Sequence, residues 1–145
     1  MQPRETYATA LFERLKTLQD TGAVVVCDRR VRQIDDCNDA DLPALFVCGD
    51  DEDTAQADGA PPIHTLDAQV YLFAANPDPN TSAEIALNGL IDAVEQALAP
   101  DSWATGTCTL GGLVQHCRIE GKSRKYVSVL GTRAAVILPV KMLVP

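Results

Sequence analysis

Leu66-Asp67-Ala68-Gln69-Val70-Tyr71-Leu72-Phe73-Ala74 is the stretch that decides the fold of this chain. In an extended backbone Leu66, Ala68, Val70, Leu72 and Ala74 fall on one side, and Asp67, Gln69, Tyr71 and Phe73 on the other. The spacing predicts a strand with one buried face and one amphipathic face. Downstream, Asn76-Pro77-Asp78-Pro79-Asn80 reads as a rigid turn. Thr81, three residues before Glu84, has the capping-box arrangement that opens a helix. Leu87, Leu90, Ile91, Val94 and Leu98 form its apolar stripe, and Pro100 stops it. The strand supplies a face that must be covered, and the helix is long enough to cover it.

Working outward, Ala134 to Val144 is almost continuously apolar and is expected to be a central strand or one covered on both faces. Leu113 to Ile119 alternates, and Tyr126 to Leu130 reads as a further strand ending at Gly131. Toward the N-terminus, Tyr7, Leu11, Leu15 and Leu18, widened by Phe12, mark a first helix over residues 6–19 that ends at Thr21-Gly22. Ala23 to Cys27 is a β-branched run, which Val31 to Ile34 continues as one long strand or a bulged one. Asp35 to Asp41 is polar loop, and Pro43 to Cys48 a short apolar strand with proline at its first residue. Gly49 to Pro62 holds Asp50-Asp51-Glu52-Asp53 and then Gly59, Pro61 and Pro62, and is expected to be a mobile or partner-ordered acidic loop. The sum is an α+β fold: a mixed or mainly antiparallel β sheet with two main helices packed on one face. The 145 residues make one domain, long enough to hold a single core.

No apolar run reaches the ~20 residues of a membrane span, and Met1 to Tyr7 is too polar for a signal peptide. Five cysteines, Cys27, Cys37, Cys48, Cys108 and Cys117, show no CxxC spacing. They are read as reduced, partly buried thiols of a cytoplasmically made protein. The net charge of −8 is unevenly spread. Between Gln33 and Cys117 there is no Lys or Arg, and fifteen of the twenty acidic residues lie there; all twelve basic residues lie outside. If the flanks meet in space, the domain has an acidic and a basic side, suited to head-to-tail contact between copies; the plainer reading is two solvated faces.

Motifs for catalysis are missing. His64 lies in a Pro-rich loop, His116 lies in a strand, and no Ser stands in a nucleophile elbow, so no Ser-His-Asp triad is expected. Adjacent His116 and Cys117 point to opposite strand faces, and Cys27, Cys37 and Cys48 match no zinc spacing. The acidic stretch fails as an EF-hand, with Ala55 and Gln56 where a ligand and glycine belong. Weak divalent binding by Asp50, Asp51 and Asp53 is the alternative to a solvated loop. Gly111-Gly112 lacks a phosphate-cradling context. The basic clusters are Arg29, Arg30 and Arg32, and Lys122, Arg124 and Lys125. Arg30 and Arg32 would share a strand face and grip phosphates, or else be strand-end charges in ion pairs. The chain is therefore read as a non-enzyme, with no catalytic residue, metal or cofactor.

The order of features, namely the first helix, "LPALFV" (Leu42–Val47), the acidic stretch, "HTLDAQVYLFA" (His64–Ala74), "LNGLIDAVEQAL" (Leu87–Leu98), "TLGGLVQHCRIEG" (Thr109–Gly121) and "AAVILPVKMLV" (Ala134–Val144), resembles the tail terminator (minor tail, neck) proteins of long-tailed bacteriophages and prophages. The resemblance implies a virion structural protein, made in the host bacterial cytoplasm and placed at the head–tail junction. Such proteins form a homo-hexameric ring on the finished tail tube, stop its polymerisation and offer the surface to which the head joins. It further implies as partners the tail tube protein and a head connector or head-completion protein. DNA would pass through the lumen without sequence-specific binding, and no membrane is involved. Another head–tail connector or head-completion protein, a tail tube subunit, a small enzyme with an unrecognised site and a plain ligand-binding domain are the rival readings. On charge segregation, Arg29, Arg30, Arg32, Lys122, Arg124 and Lys125 are expected to meet Asp50, Asp51 and Asp53 of a neighbour or partner.

Overall fold

A computed structural model describes residues 1–76, 78, 80–128 and 130–145. In chain order the elements are α1 (Arg4–Asp20), β1 (Val26–Asp28), β2 (Ala44–Ala55), β3 (Ile63–Ala75), α2 (Ala83–Ala97), β4 (His116–Ile119), β5 (Arg124–Val127) and β6 (Arg133–Val144). Two short 3-10 turns, Ile34–Asp36 and Asp39–Asp41, lie between β1 and β2. The strands form one mixed sheet in the order β1-β2-β3-β6-β4, with β5 also paired to β6. β3 and β6 run antiparallel from His64↔Val144 to Ala75↔Arg133 and form its centre. β1 is parallel to β2; every other pairing is antiparallel.

The alternation in β3 sets the two faces. Leu66, Ala68, Val70, Leu72 and Ala74 are buried in one cluster with Val136, Leu138 and Val140 of β6. Tyr7, Leu11, Leu15 and Leu18 of α1, and Leu87, Leu90 and Val94 of α2, cover that face, so both helices lie on one side of the sheet. On the opposite side a smaller cluster, Cys37, Leu42, Ala44, Phe46, Phe73 and Ala135, is covered by the 31–42 segment. Arg133 fastens this segment to β6, donating to the Ile34 carbonyl and pairing with Asp39 at 2.9 Å.

Proline in a central strand is unusual because it removes a ladder donor. Pro139 faces Gln69 across β3 but turns its carbonyl to the other neighbour, where Glu120 N–H donates to it at 3.1 Å. Its missing N–H therefore falls on the β4–β5 side. There the edge chain breaks between Ile119 and Arg124. Gly121 adopts a φ of +121°, and a Cβ at this position would lie 3.2 Å from the Pro139 ring. The two edge strands β4 and β5 are thus separated opposite Pro139.

Several expectations are corrected. The strand over Ala23–Ile34 shrinks to Val26–Asp28, because Asp28 Oδ1 accepts from Arg29 N at 2.7 Å and turns the chain. Val31 and Ile34 then pack under the sheet instead of extending it. The acidic stretch is not loop from Gly49 to Pro62: β2 continues to Ala55, paired with Ile63 to Leu66, with a bulge between Gly49 and Glu52. Pairing with β3 satisfies the inward-facing backbone groups there, while the carboxylates project to solvent. The α2 cap is Ser82, not Thr81; its Oγ accepts from Glu84 N at 3.2 Å, while Thr81 donates to Asp78 Oδ2. Leu113–Gln115 are turn, leaving His116–Ile119 as strand. The strand expected at Tyr126–Leu130 is Arg124–Val127, and Val129 lies outside the described residues. So do Pro77 and Pro79 of the expected turn, within which Asn76 Oδ1 accepts from Asp78 N at 3.0 Å.

Asp101 organises the long connection from α2 to β4. Its carboxylate accepts from Thr109 N (2.7 Å), Thr109 Oγ1 (2.8 Å), Gly111 N (3.1 Å) and Arg14 of α1 (3.1 Å). Burial alone would raise its pKa; the hydrogen bonds outweigh it and hold the carboxyl well below the usual carboxylate range.

Two stability measurements follow from these contacts. Leu72→Ala should cost about 2–5 kcal/mol in denaturant unfolding, whereas exposed Ile85→Ala should change it by less than about 0.5 kcal/mol. Asp101→Asn should cost about 1–3 kcal/mol near neutral pH. Because the folded-state pKa is depressed, that difference should hold above about pH 5 and shrink as pH falls below about 4. A pH-independent difference in thermal or chemical unfolding would refute the assignment.

Candidate assembly surfaces

Of the charged residues singled out in the sequence, the aspartates and Lys122, Arg124 and Lys125 lie toward the rims of the sheet, while Arg30 and Arg32 lie where the chain leaves β1 and crosses the helix-free face. Asp50, Asp51 and Asp53 stand on the outer half of β2, at and after its bulge. Asp50 accepts from Gln69 Nε2 at 3.2 Å, and Gln69 Oε1 in turn accepts from the Tyr71 hydroxyl at 2.8 Å. Glu52 is held by Arg4 of α1, whose hydrogen bond lowers its pKa against a small opposing effect of burial. Asp51 and Asp53 are exposed and have no ion pair within the chain among the described residues. Nearby Asp67 is raised by burial, and the three aspartates add repulsion; Lys141, 3.8 Å away, offsets part of it.

The two basic clusters differ. Arg29 is bound by Glu5 of α1, and it lines a cleft of about 350 Å³ with Arg4, Asp50 and Asp51. The structure thus brings one predicted arginine beside two predicted aspartates inside the same chain. Arg32 lies 4.0 Å from Asp41 and 5.9 Å from the Phe46 ring centroid. Arg30 shares a shallow hollow with Arg32, Asp28 and Asp36. Lys122, Arg124 and Lys125 lie on the far rim, at and before β5, and all are exposed. Lys125 Nζ donates to Asn88 of α2 at 3.1 Å. Arg124 faces the helix-free side, since it pairs with Ile137, and Lys125 faces the helices, since it pairs with Val136.

Backbone geometry adds what residue types alone did not reveal. Ser128 N–H donates to the Arg133 carbonyl, so Tyr126 and Arg124 also face β6 and the backbone groups of Lys125 and Val127 point outward. On β4 the equivalent outward group is taken, because Cys117 N–H donates to the Cys108 carbonyl at 2.8 Å. On the opposite rim β1 covers only Ala44 to Phe46 of β2. From Val47 onward the outer edge of β2 makes no backbone hydrogen bond beyond its β3 ladder among the described residues. Each rim is therefore closed along one half and open along the other. Exposed apolar residues also cluster by the β5–β6 turn, with Ile85, Val127 and Leu130 between 43% and 86% exposed; Trp103, on the connection anchored by Asp101, is fully so.

The groups that could do chemistry are dispersed. His64 Nδ1 lies 3.0 Å from Thr54 Oγ1, and His116 Nδ1 is buried without a partner. Among the described residues no three His, Cys, Asp or Glu side chains are placed to hold a metal ion. The five cysteines are free; burial pushes Cys27 up to about 11 and Cys117 up to about 12, which keeps both thiols protonated.

No protein-family model matches the chain, and no curated protein matches it in sequence. Among solved structures, the chain is similar to one from a virion of a native gene transfer agent particle. The TM-score is 0.53 and the identity 14%, over 94% of this chain and 92% of that one. At that identity the shared property is the fold, and it extends across nearly the whole of both chains.

Proposed function

We propose that the protein is a virion structural subunit that caps the completed tail tube of a long-tailed phage or prophage, ends its polymerisation and presents the head-joining surface. The observation that carries this reading is the end-to-end likeness of fold to a chain of a virion particle. The order of sequence features, which resembles tail terminators, supports it from an independent direction. On this reading the working form is a homo-hexameric ring at the head–tail junction, with the tail tube protein on one side and a head connector or head-completion protein on the other. DNA passes through its lumen, held by general electrostatics and not by base contacts. The role requires shape and contact, and asks for no catalytic residue, metal or cofactor.

Electron microscopy of particles produced without this gene product tests the proposal. Tails of uncontrolled length lacking heads are the expected result. Tails of normal length beside unjoined heads would transfer the role to head completion, and normal joined particles would exclude both.

A further inference from the structure

We infer that successive copies of this chain join edge to edge, β5 of one copy adding as an antiparallel strand to the open outer half of β2 in the next. The inference gives the ring reading above its contact, and rests on that reading only for its biological setting. An edge strand with unpaired N–H and C=O groups is a template for another strand, and proteins that stay monomeric blunt or cover it. Here the covering is partial and complementary. β1 closes the Ala44–Phe46 half of β2, and the Cys108 segment closes the β4 half of the opposite rim. What remains open is β5 on one side and Val47 to Ala55 on the other. These open halves sit at different heights along the sheet and meet only with a stagger, as strands do when sheets close around an axis.

Direction, face and charge agree on one register. β5 is antiparallel to β6, β6 to β3 and β3 to β2, so β5 and β2 run in opposite directions in any two copies related by rotation about an axis nearly parallel to the strands. With Lys125 opposite Glu52, both residues turn their backbone groups outward and both side chains lie on the helix side. Arg124 then stands opposite Asp53 on the helix-free side, and Ser123 opposite Thr54. A slip of one residue breaks both matches at once. In this register Glu52 and Asp53 meet Lys125 and Arg124, with Asp50 and Asp51 beside them at the bulge, giving a heterologous contact that also disfavours pairing of like edges.

Sedimentation of the intact purified chain over a concentration series at low and high salt tests this. The wild type should self-associate, more weakly at high salt. Arg124→Asp and Asp53→Arg should each weaken association by about tenfold or more, while an equimolar mixture of the two should restore it by alternation, because each reversed residue then meets its opposite charge. Val127→Pro removes one outward donor at an exposed position, and should abolish association while leaving thermal unfolding of the monomer near wild type. Arg124→Cys/Asp53→Cys in one chain should give an oxidised ladder of linked copies that wild type does not give. A wild type that stays monomeric at every concentration, or a mixture that fails to recover, overturns the inference. Because these readouts use the isolated chain, they can succeed where the microscopy of particles fails, and the reverse.

Discussion

The pairing of β3 with β6 is the constraint on which everything else in this protein depends. It runs the full length of both strands, and neither has a free edge. Its register decides which side chains meet the helices. Leu72 stands opposite Val136 and Val70 opposite Leu138, and these four form the floor on which α1 and α2 rest. The same register sends Asp67, Gln69 and Tyr71 to the helix-free side, where they meet Lys141, Pro139 and Ile137. The rims inherit their orientation from this centre, since β2 and β5 each take parity from the strand they adjoin. A cluster of acid on β2 and a cluster of base beside β5 acquire definite faces only because the central pair is fixed.

What was legible in the sequence was what depends on near neighbours. The alternation of Leu66 to Ala74 and the stripes of Tyr7 to Leu18 and Leu87 to Leu98 each appear within one element, and burial follows them. What was hidden depends on residues far apart in the chain. The end of β1 is set by an aspartate turn outweighing a β-branched run. The extension of β2 through four acidic residues is set by the length of β3, which no property of Asp50 to Asp53 announces. The same division runs through the candidate surfaces. The charge segregation was plain, but which charges are already used was not, since Arg4 finds Glu52, Glu5 finds Arg29 and Asp39 finds Arg133 across long separations. These exposed pairs are screened by solvent and add little to stability.

One rim is sealed by more than side chains. The connection from α2 to β4 could have swung free, but Asp101 gathers Thr109, Gly111 and Arg14 and holds the Cys108 carbonyl where Cys117 needs an acceptor. A carboxylate on a surface connection thereby determines which part of a sheet edge is closed. Local anchoring and edge protection are one device here, with the exposed indole of Trp103 carried on the anchored segment.

Pro139 has a further consequence for how the chain finds its native arrangement. Apart from Arg133 and Lys141, β6 is apolar on both faces, so few of its side chains fix it against sliding. Proline supplies the missing asymmetry. Sliding β6 by one position would point the ring toward β3, where the ladder is continuous and every donor is wanted. In the native arrangement it meets only the gap at Gly121. A residue usually regarded as a breaker of sheets thus adds a backbone constraint to the one that Lys141 imposes, since the same slide would turn that ammonium toward the buried core.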